Sequence, residues 1–172
     1  YAITVPSSFQ VAANGMPEEP VTSGTSSTYK FSINQPMATY LATINIGKFK
    51  TVKQTGPNGL PIINYFPPSF TDPDQAFTRQ PEMLAFLSEK FGPYPFDVSG
   101  GIVANQELGI ALETQTRPIY GLDTSEGVVV HELSHQWFGD SVSVKSWDQI
   151  WLNEGFATFA ELLWSEHNGG KE

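Results

Sequence analysis

Apolar and polar residues alternate along three stretches of the first fifty residues, Tyr1 to Val5, Tyr29 to Ile33 and Thr39 to Ile46. A two-residue period puts one face of an extended chain on a core and leaves the other wet, so these stretches are predicted as antiparallel strands. Pro6-Ser7-Ser8, Ala13-Asn14-Gly15 and Thr22 to Thr28 carry the residues that turns use. A further hairpin is expected over Thr51 to Phe66, with Gly56-Pro57-Asn58-Gly59 as its turn. The chain opens on Tyr1-Ala2-Ile3-Thr4-Val5, without Met, charged leader or cleavage signal, and is expected to be a piece of a longer protein.

From about residue 70 the period changes. Pro81 to Phe91 has apolar residues at helical spacing, Pro in its first turn and Gly92-Pro93 as its stop. Gly109 to Thr116 is a short strand candidate. Asp123-Thr124-Ser125-Glu126 has the spacing of a capping box, so a helix is expected from there to about Phe138, ending at Gly139. A longer helix is expected from Trp147 or Ile150 to His167, before Asn168-Gly169-Gly170. Strands followed by helices make an α+β chain, with its boundary near residues 48–52.

Composition narrows the function classes. The chain is 40% hydrophobic, 13% aromatic and 16% charged, which gives it a core to bury. It has no cysteine, so disulfides, thiolate metal sites and a cysteine nucleophile are excluded. A net charge of −9 argues against a nucleic-acid partner, because no cationic surface is available to displace counterions. No apolar run reaches the roughly 20 residues of a transmembrane helix. Low Lys and many Ser, Thr and Asn lean toward an extracellular or cell-envelope location.

Two of the three histidines fall in His131-Glu132-Leu133-Ser134-His135. On a helix, positions i and i+4 share a face with Cβ atoms about 5–6 Å apart, so both imidazoles can reach one metal ion. Glu132 lies about 100° around the helix, beside the metal, where a general base for an activated water belongs. A catalytic zinc takes three protein ligands and keeps one position open. Glu154, in Asn153-Glu154-Gly155, is the candidate third ligand. Eighteen residues separate it from His135, enough for a helix end, a loop and a new helix.

These residues resemble the zinc signature of the M1 aminopeptidase family: His131 to Asp140, then Trp147-Asp148 and Trp151-Leu152-Asn153-Glu154-Gly155-Phe156-Ala157. Lys90 to Phe96 resembles the segment upstream of that family's site, and Met37 to Leu41 with Ile46 to Phe49 the end of its N-terminal β domain. The resemblance implies residues 1–50 as the end of a β-saddle domain and 51–172 as the front of a thermolysin-like (zincin) catalytic domain. It implies one Zn2+ per chain on His131, His135 and Glu154, with Glu132 as general base. Peptides would be the substrates, held by their free N-terminus. Glu161, seven residues after Glu154, would orient a ligand histidine or else stand exposed near a helix end. Asp148 is either a supporting acid or an ordinary first-turn acid.

The resemblance thins in two places. The family's amine-binding Gly-x-Met-Glu-Asn motif has its counterpart in Gly109 to Thr116, which puts Glu113 in the amine-binding role. The rival alignment, Asn105 to Gly109, puts Glu107 there. The family also places an oxyanion-binding tyrosine beyond the third ligand, whereas the six tyrosines here are Tyr1, Tyr29, Tyr40, Tyr65, Tyr94 and Tyr120. These 172 residues are therefore expected to bind zinc but turn over slowly. The alternatives are a zinc endopeptidase of the same fold and a non-catalytic, zinc-stabilised peptide-binding module. Trp137, Trp147, Trp151, Trp164 and the phenylalanines are expected in the core, and His167 at a helix C-terminus.

Overall fold

In the computed structural model, which describes residues 1–72 and 75–170, the alternating N-terminal segment forms six short strands. β1 (Ala2–Pro6), β3 (Met16–Pro17) and β4 (Val21–Ser23) all pair antiparallel with β5 (Ser26–Ser32), while β2 (Gln10–Ala13) pairs with β6 (Ile44–Gly47). The stretch from Thr39 is only partly extended: Thr39–Leu41 is a 3-10 turn, and the strand begins at Ile44. Val5, Val11, Ala13 and Phe31 make the small core between these sheets.

The expected hairpin is β7 (Lys50–Thr55) and β8 (Pro61–Phe66), paired from Lys50↔Phe66 to Thr55↔Pro61. β8 continues a larger sheet in the order β10-β9-β8-β7, in which β9 (Ser99–Val103) and β10 (Ile119–Tyr120) run parallel to their neighbours. The alternation rule misses β9, because all five of its residues are buried and its apolar run is broken by Gly100 and Gly101. β8, with five buried residues of six, shares that character.

Three helices pack on this sheet. α1 (Gln80–Phe91) buries Met83, Leu84, Phe86 and Leu87 and ends before Gly92-Pro93. α2 (Glu126–His135) starts two residues later than the capping-box reading puts it. Its N-cap is Ser125, whose hydroxyl accepts from the Val128 amide at 3.5 Å. Asp123 instead accepts from the amides of Leu108 (3.2 Å) and Gly109 (3.0 Å), a loop pairing that no local pattern announces. The helix stops at His135, and tight turns rather than helix carry the chain through Phe138. α3 (Trp151–His167) follows a 3-10 turn at Trp147–Gln149. The strand expected over Gly109–Thr116 does not form. Only Leu112 bridges, to Ile119, across a turn in which Thr116 has φ 70°. Among the described residues no helix is long and apolar enough to cross a membrane.

The turn from Thr114 to Arg117 is the junction of the whole chain. Arg117 is fully buried and donates to the backbone carbonyls of Ala13 (2.6 Å), Gly15 and Ile63 (3.3 Å). Its guanidinium also sits 5.5 Å from the Tyr65 ring centroid. Asn14, also fully buried, donates to the carbonyls of Leu41 (2.9 Å) and Gln115 (2.7 Å) and accepts from the Thr43 amide at 2.6 Å. Gly15 has φ 88°, and a Cβ there would lie 2.2 Å from the Ser32 carbonyl, so only glycine makes this turn.

Removing the guanidinium would take away the side-chain donor that three backbone carbonyls share at this buried junction. Arg117→Ala is therefore expected to lower unfolding free energy by about 3–5 kcal/mol in urea denaturation. Arg117→Lys should recover little of this, since an ammonium cannot reproduce the planar spread of donors.

Candidate metal centre

α3 buries Asn153, Ala157, Ala160 and Trp164; the two alanines on that face let α2 and α3 approach closely. Val129, Val130 and Leu133 do the same for α2. At the end of α2, Gly139 (φ 129°) leaves room for Asn153. A Cβ there would fall 3.2 Å from Asn153 Nδ2 and 3.4 Å from His135 Nδ1. Trp137 fastens the segment after α1 to this corner, donating from Nε1 to the Gly92 carbonyl at 2.9 Å and packing on Tyr94 at 5.3 Å.

That packing brings three donor atoms together. Glu154 Oε2 lies 3.3 Å from His131 Nε2 and 3.7 Å from His135 Nε2, and the three residues' ligand atoms all fall within 4.8 Å of one another. Ligands about 2.0–2.2 Å from a tetrahedral ion stand about 3.3–3.6 Å apart, so the two measured edges match a zinc-sized ion. The other imidazole nitrogens are occupied as such a site needs. His131 Nδ1 is 2.6 Å from Glu161 Oε1, and His135 Nδ1 is 3.0 Å from the Phe138 carbonyl. A proton on each Nδ1 leaves each Nε2 lone pair free.

Electrostatics agree with the geometry. Burial pushes the Glu132 carboxyl up to about 8, partly offset by His131 and reinforced by the charges of Glu113, Glu154 and Glu161. Burial also pulls His135 below its ordinary value, toward the neutral form that ligates. For His131 burial acts downward too, but the Glu161 hydrogen bond and the surrounding carboxylates outweigh it and hold the ring above its ordinary value. Among the described residues, no lysine or arginine is among the charges acting on Glu132. Several carboxylates converging without a cationic side chain suit a divalent ion, whose charge would restore Glu132 to its carboxylate form. One Glu132 oxygen, Oε2, is buried with no partner in the protein, as expected of a base that faces a water.

The other candidates separate clearly. Glu113 is half-buried beside the triad: its charge acts on Glu132 and His135, and its carbonyl accepts from Gln136 Nε2 at 3.4 Å. Glu107 is exposed on the loop after β9, and its charge acts on neither. Asp148 is exposed and accepts from the Ser146 hydroxyl, which closes the 3-10 turn before α3, so the structure keeps it out of the cluster. His167 packs on Phe86 at 4.8 Å. Sequence reading passed over Gln136, whose Oε1 accepts from the Thr116 amide at 2.6 Å and so ties α2 to the Glu113 turn. It also passed over Asp140, buried with neither oxygen paired and pushed up to about 9 by burial and the charges of Glu113 and Glu132. Both lie directly after the motif, but nothing local gives either a role.

Comparison with known proteins gives the same direction. Residues 81–172, just over half of the chain, match the family model described as the Peptidase family M1 domain. Mouse aminopeptidase N is 29% identical over 170 residues, covering 88% of this chain and 17% of that protein. Mouse endoplasmic reticulum aminopeptidase 1 is 31% identical over 152 residues, 77% of this chain and 16% of that protein. The crystal structure of an M1 zinc metallopeptidase from Deinococcus radiodurans superposes with a TM-score of 0.87 at 34% identity, covering 99% of this chain and 41% of that one. A mutant of that protein bound to a Tyr-Ser-Ala substrate gives 0.88 at 33% identity and the same shares. The chain thus spans about a sixth of the curated relatives it matches.

If Glu161 orients His131, Glu161→Ala should weaken zinc binding by about 10–100-fold in competition with a chelator, with the helical circular dichroism unchanged. His131→Ala should abolish binding at the same zinc concentrations.

Proposed function

The chain belongs to peptidase family M1, and on that premise we propose that it is the metal-binding part of a zinc-dependent aminopeptidase. The observation that carries this reading is the convergence of His131 Nε2, His135 Nε2 and Glu154 Oε2 at ligand spacing. Bound there, zinc supplies a Lewis acid that polarises the scissile carbonyl and lowers the pKa of a water toward about 7.

The chain's own residues do the rest. Glu161 and the Phe138 carbonyl hold the two imidazoles in one tautomer and one orientation. Glu132 takes a proton from the attacking water as its oxygen adds to the carbonyl carbon. It returns that proton to the leaving nitrogen as the C–N bond breaks. Glu113 accepts hydrogen bonds from the substrate's free α-ammonium and sets how far the scissile bond lies from the chain end. That limit is what makes the reaction exopeptidic: a carboxylate at fixed distance from the metal rewards only a nearby terminus. No tyrosine follows Tyr120 in these 172 residues, so turnover by them alone is expected to fall about 10²–10³-fold below that of a relative with the oxyanion donor.

Aminoacyl p-nitroanilides with free and acetylated α-amines test the reading on the zinc-loaded chain. Only the free amines should be cleaved. Glu132→Gln should keep one zinc per chain by elemental analysis while kcat/KM drops by about 10²–10⁴. Glu113→Ala should lower kcat/KM for free amines. Equal cleavage of both substrate sets would instead point to an endopeptidase, and zinc uptake with no cleavage at all to a binding module.

A further inference from the structure

One arginine ties the start of α2 to both other helices, and the chemistry described so far leaves it unused. Arg79, the residue before α1, grips Glu82 with two donors, Nε to Oε2 (3.0 Å) and Nη2 to Oε1 (3.1 Å). Its Nη1 donates to Glu126 Oε1 at 2.6 Å, and Nη2 donates also to Asn168 Oδ1 at 2.6 Å. The guanidinium lies 4.7 Å from the centroid of the Trp164 ring. Trp164 is buried and donates from Nε1 to the same Glu126 oxygen at 2.6 Å. Glu126 Oε1 thus takes one donor from the start of α1 and one from α3.

These contacts lie one helical turn from the support of a metal ligand. Gly127 follows Glu126 and stands four residues before His131, on the same face of α2. A Cβ at Gly127 would lie 3.5 Å from Glu161 Oε2, while Glu161 Oε1 is 2.6 Å from His131 Nδ1. On α3, Glu161 follows Glu154 by seven residues and precedes Trp164 by three, so all three share one side of the helix. Ala157 and Ala160 let the two helices close, but such small side chains offer only shallow ridges against sliding. A slide of one residue, about 1.5 Å along the axis, would break the Glu126 contacts and draw Glu161 off the imidazole. A lone exposed ion pair is too weak to resist that. This guanidinium is bidentate on Glu82, lies over a ring, and pairs with a Glu126 side chain only 23% exposed.

We propose that Arg79, acting through Glu126 and Trp164, is a positioning residue for the metal centre. It fixes the register of α2 against α3 so that Glu161 meets His131, and it sets zinc affinity through that contact. This rests on the metal-binding reading of His131, His135 and Glu154. Loss of Glu161's support typically weakens a site by about 10–100-fold, so loss of the register that aims it should cost about tenfold.

Zinc affinity of the full 172-residue chain, measured against a chromophoric chelator, tests this together with the visible spectrum of the Co2+-loaded protein, which reports the geometry around the ion. Arg79→Met should weaken zinc by about tenfold and shift the cobalt bands. Arg79→Lys should recover little, since one ammonium cannot serve Glu82, Glu126 and Asn168 together. In a Glu161→Ala background, Arg79→Met should cost less than about threefold more, because both act through one contact. Should Arg79→Met fail to fold, Trp164→Phe, which keeps the ring and deletes one donor, carries the same test with a loss of about threefold or more. Full additivity with Glu161→Ala, or lowered stability to urea with zinc affinity and cobalt bands unmoved, would overturn the proposal. His131→Ala separates the two levels. If it abolishes zinc binding while the Arg79 and Trp164 variants bind as the parent does, the metal reading stands and the positioning role falls. If the parent chain takes up no zinc, or His131→Ala binds it equally well, the metal reading fails and the positioning role falls with it.

Discussion

A buried guanidinium, paired with no carboxylate among the described residues, ties the two halves of this protein together. Arg117 is wholly buried, and its charge is met by main-chain carbonyls from two separate parts of the chain and by the face of Tyr65. Burying a cation is tolerable only where it finds acceptors; Nε and Nη1 find theirs only if β2, the Asn14-Gly15 turn and β8 are all in place, while Nη2 is buried without a partner among the described residues. Asn14 closes the same junction from the other side, sharing one amide between Leu41 and Gln115. The N-terminal β region is thus locked to the turn that carries Glu113.

The lock reaches the metal centre through one more residue. Gln136 follows the second histidine and takes the Thr116 amide, so the end of α2 and the Glu113 turn are set by a common hydrogen bond. The distance between a carboxylate that can hold an amine and a metal that can polarise a carbonyl is then a property of the core rather than of a free loop. The proposed chemistry, which measures one residue in from a chain end, needs that kind of rigidity.

Charge gives the centre its second constraint. Glu132, Glu154, Glu161 and Glu113 act on one another or on the two histidines, and among the described residues no lysine or arginine acts with them. Burial drives Glu132 toward its protonated form, which cannot serve as a base. A divalent ion between the histidines and Glu154 would remove that conflict and favour the carboxylate form of Glu132.

Spacing brought His131, His135 and Glu154 forward as one group, because helical geometry fixes what i and i+4 can reach and a second helix is a short loop away, and in the structure their ligand atoms lie within 4.8 Å of one another. Turn residues and periodicity likewise marked the β7–β8 hairpin and the cores of all three helices. Other features were decided by contacts between residues distant in sequence. Asp123 reads locally as a helix cap, yet two loop amides claim it and leave Ser125 to cap α2. Gly109 to Thr116 reads as a strand, but the demands of Arg117 and Asn14 fold it into a turn. β9 was invisible because a strand covered on both faces loses its alternation. The choice between Glu113 and Glu107 is of the same kind. Both are glutamates near Gly109, and only the docking of the turn onto α2 brings one of them within electrostatic reach of Glu132.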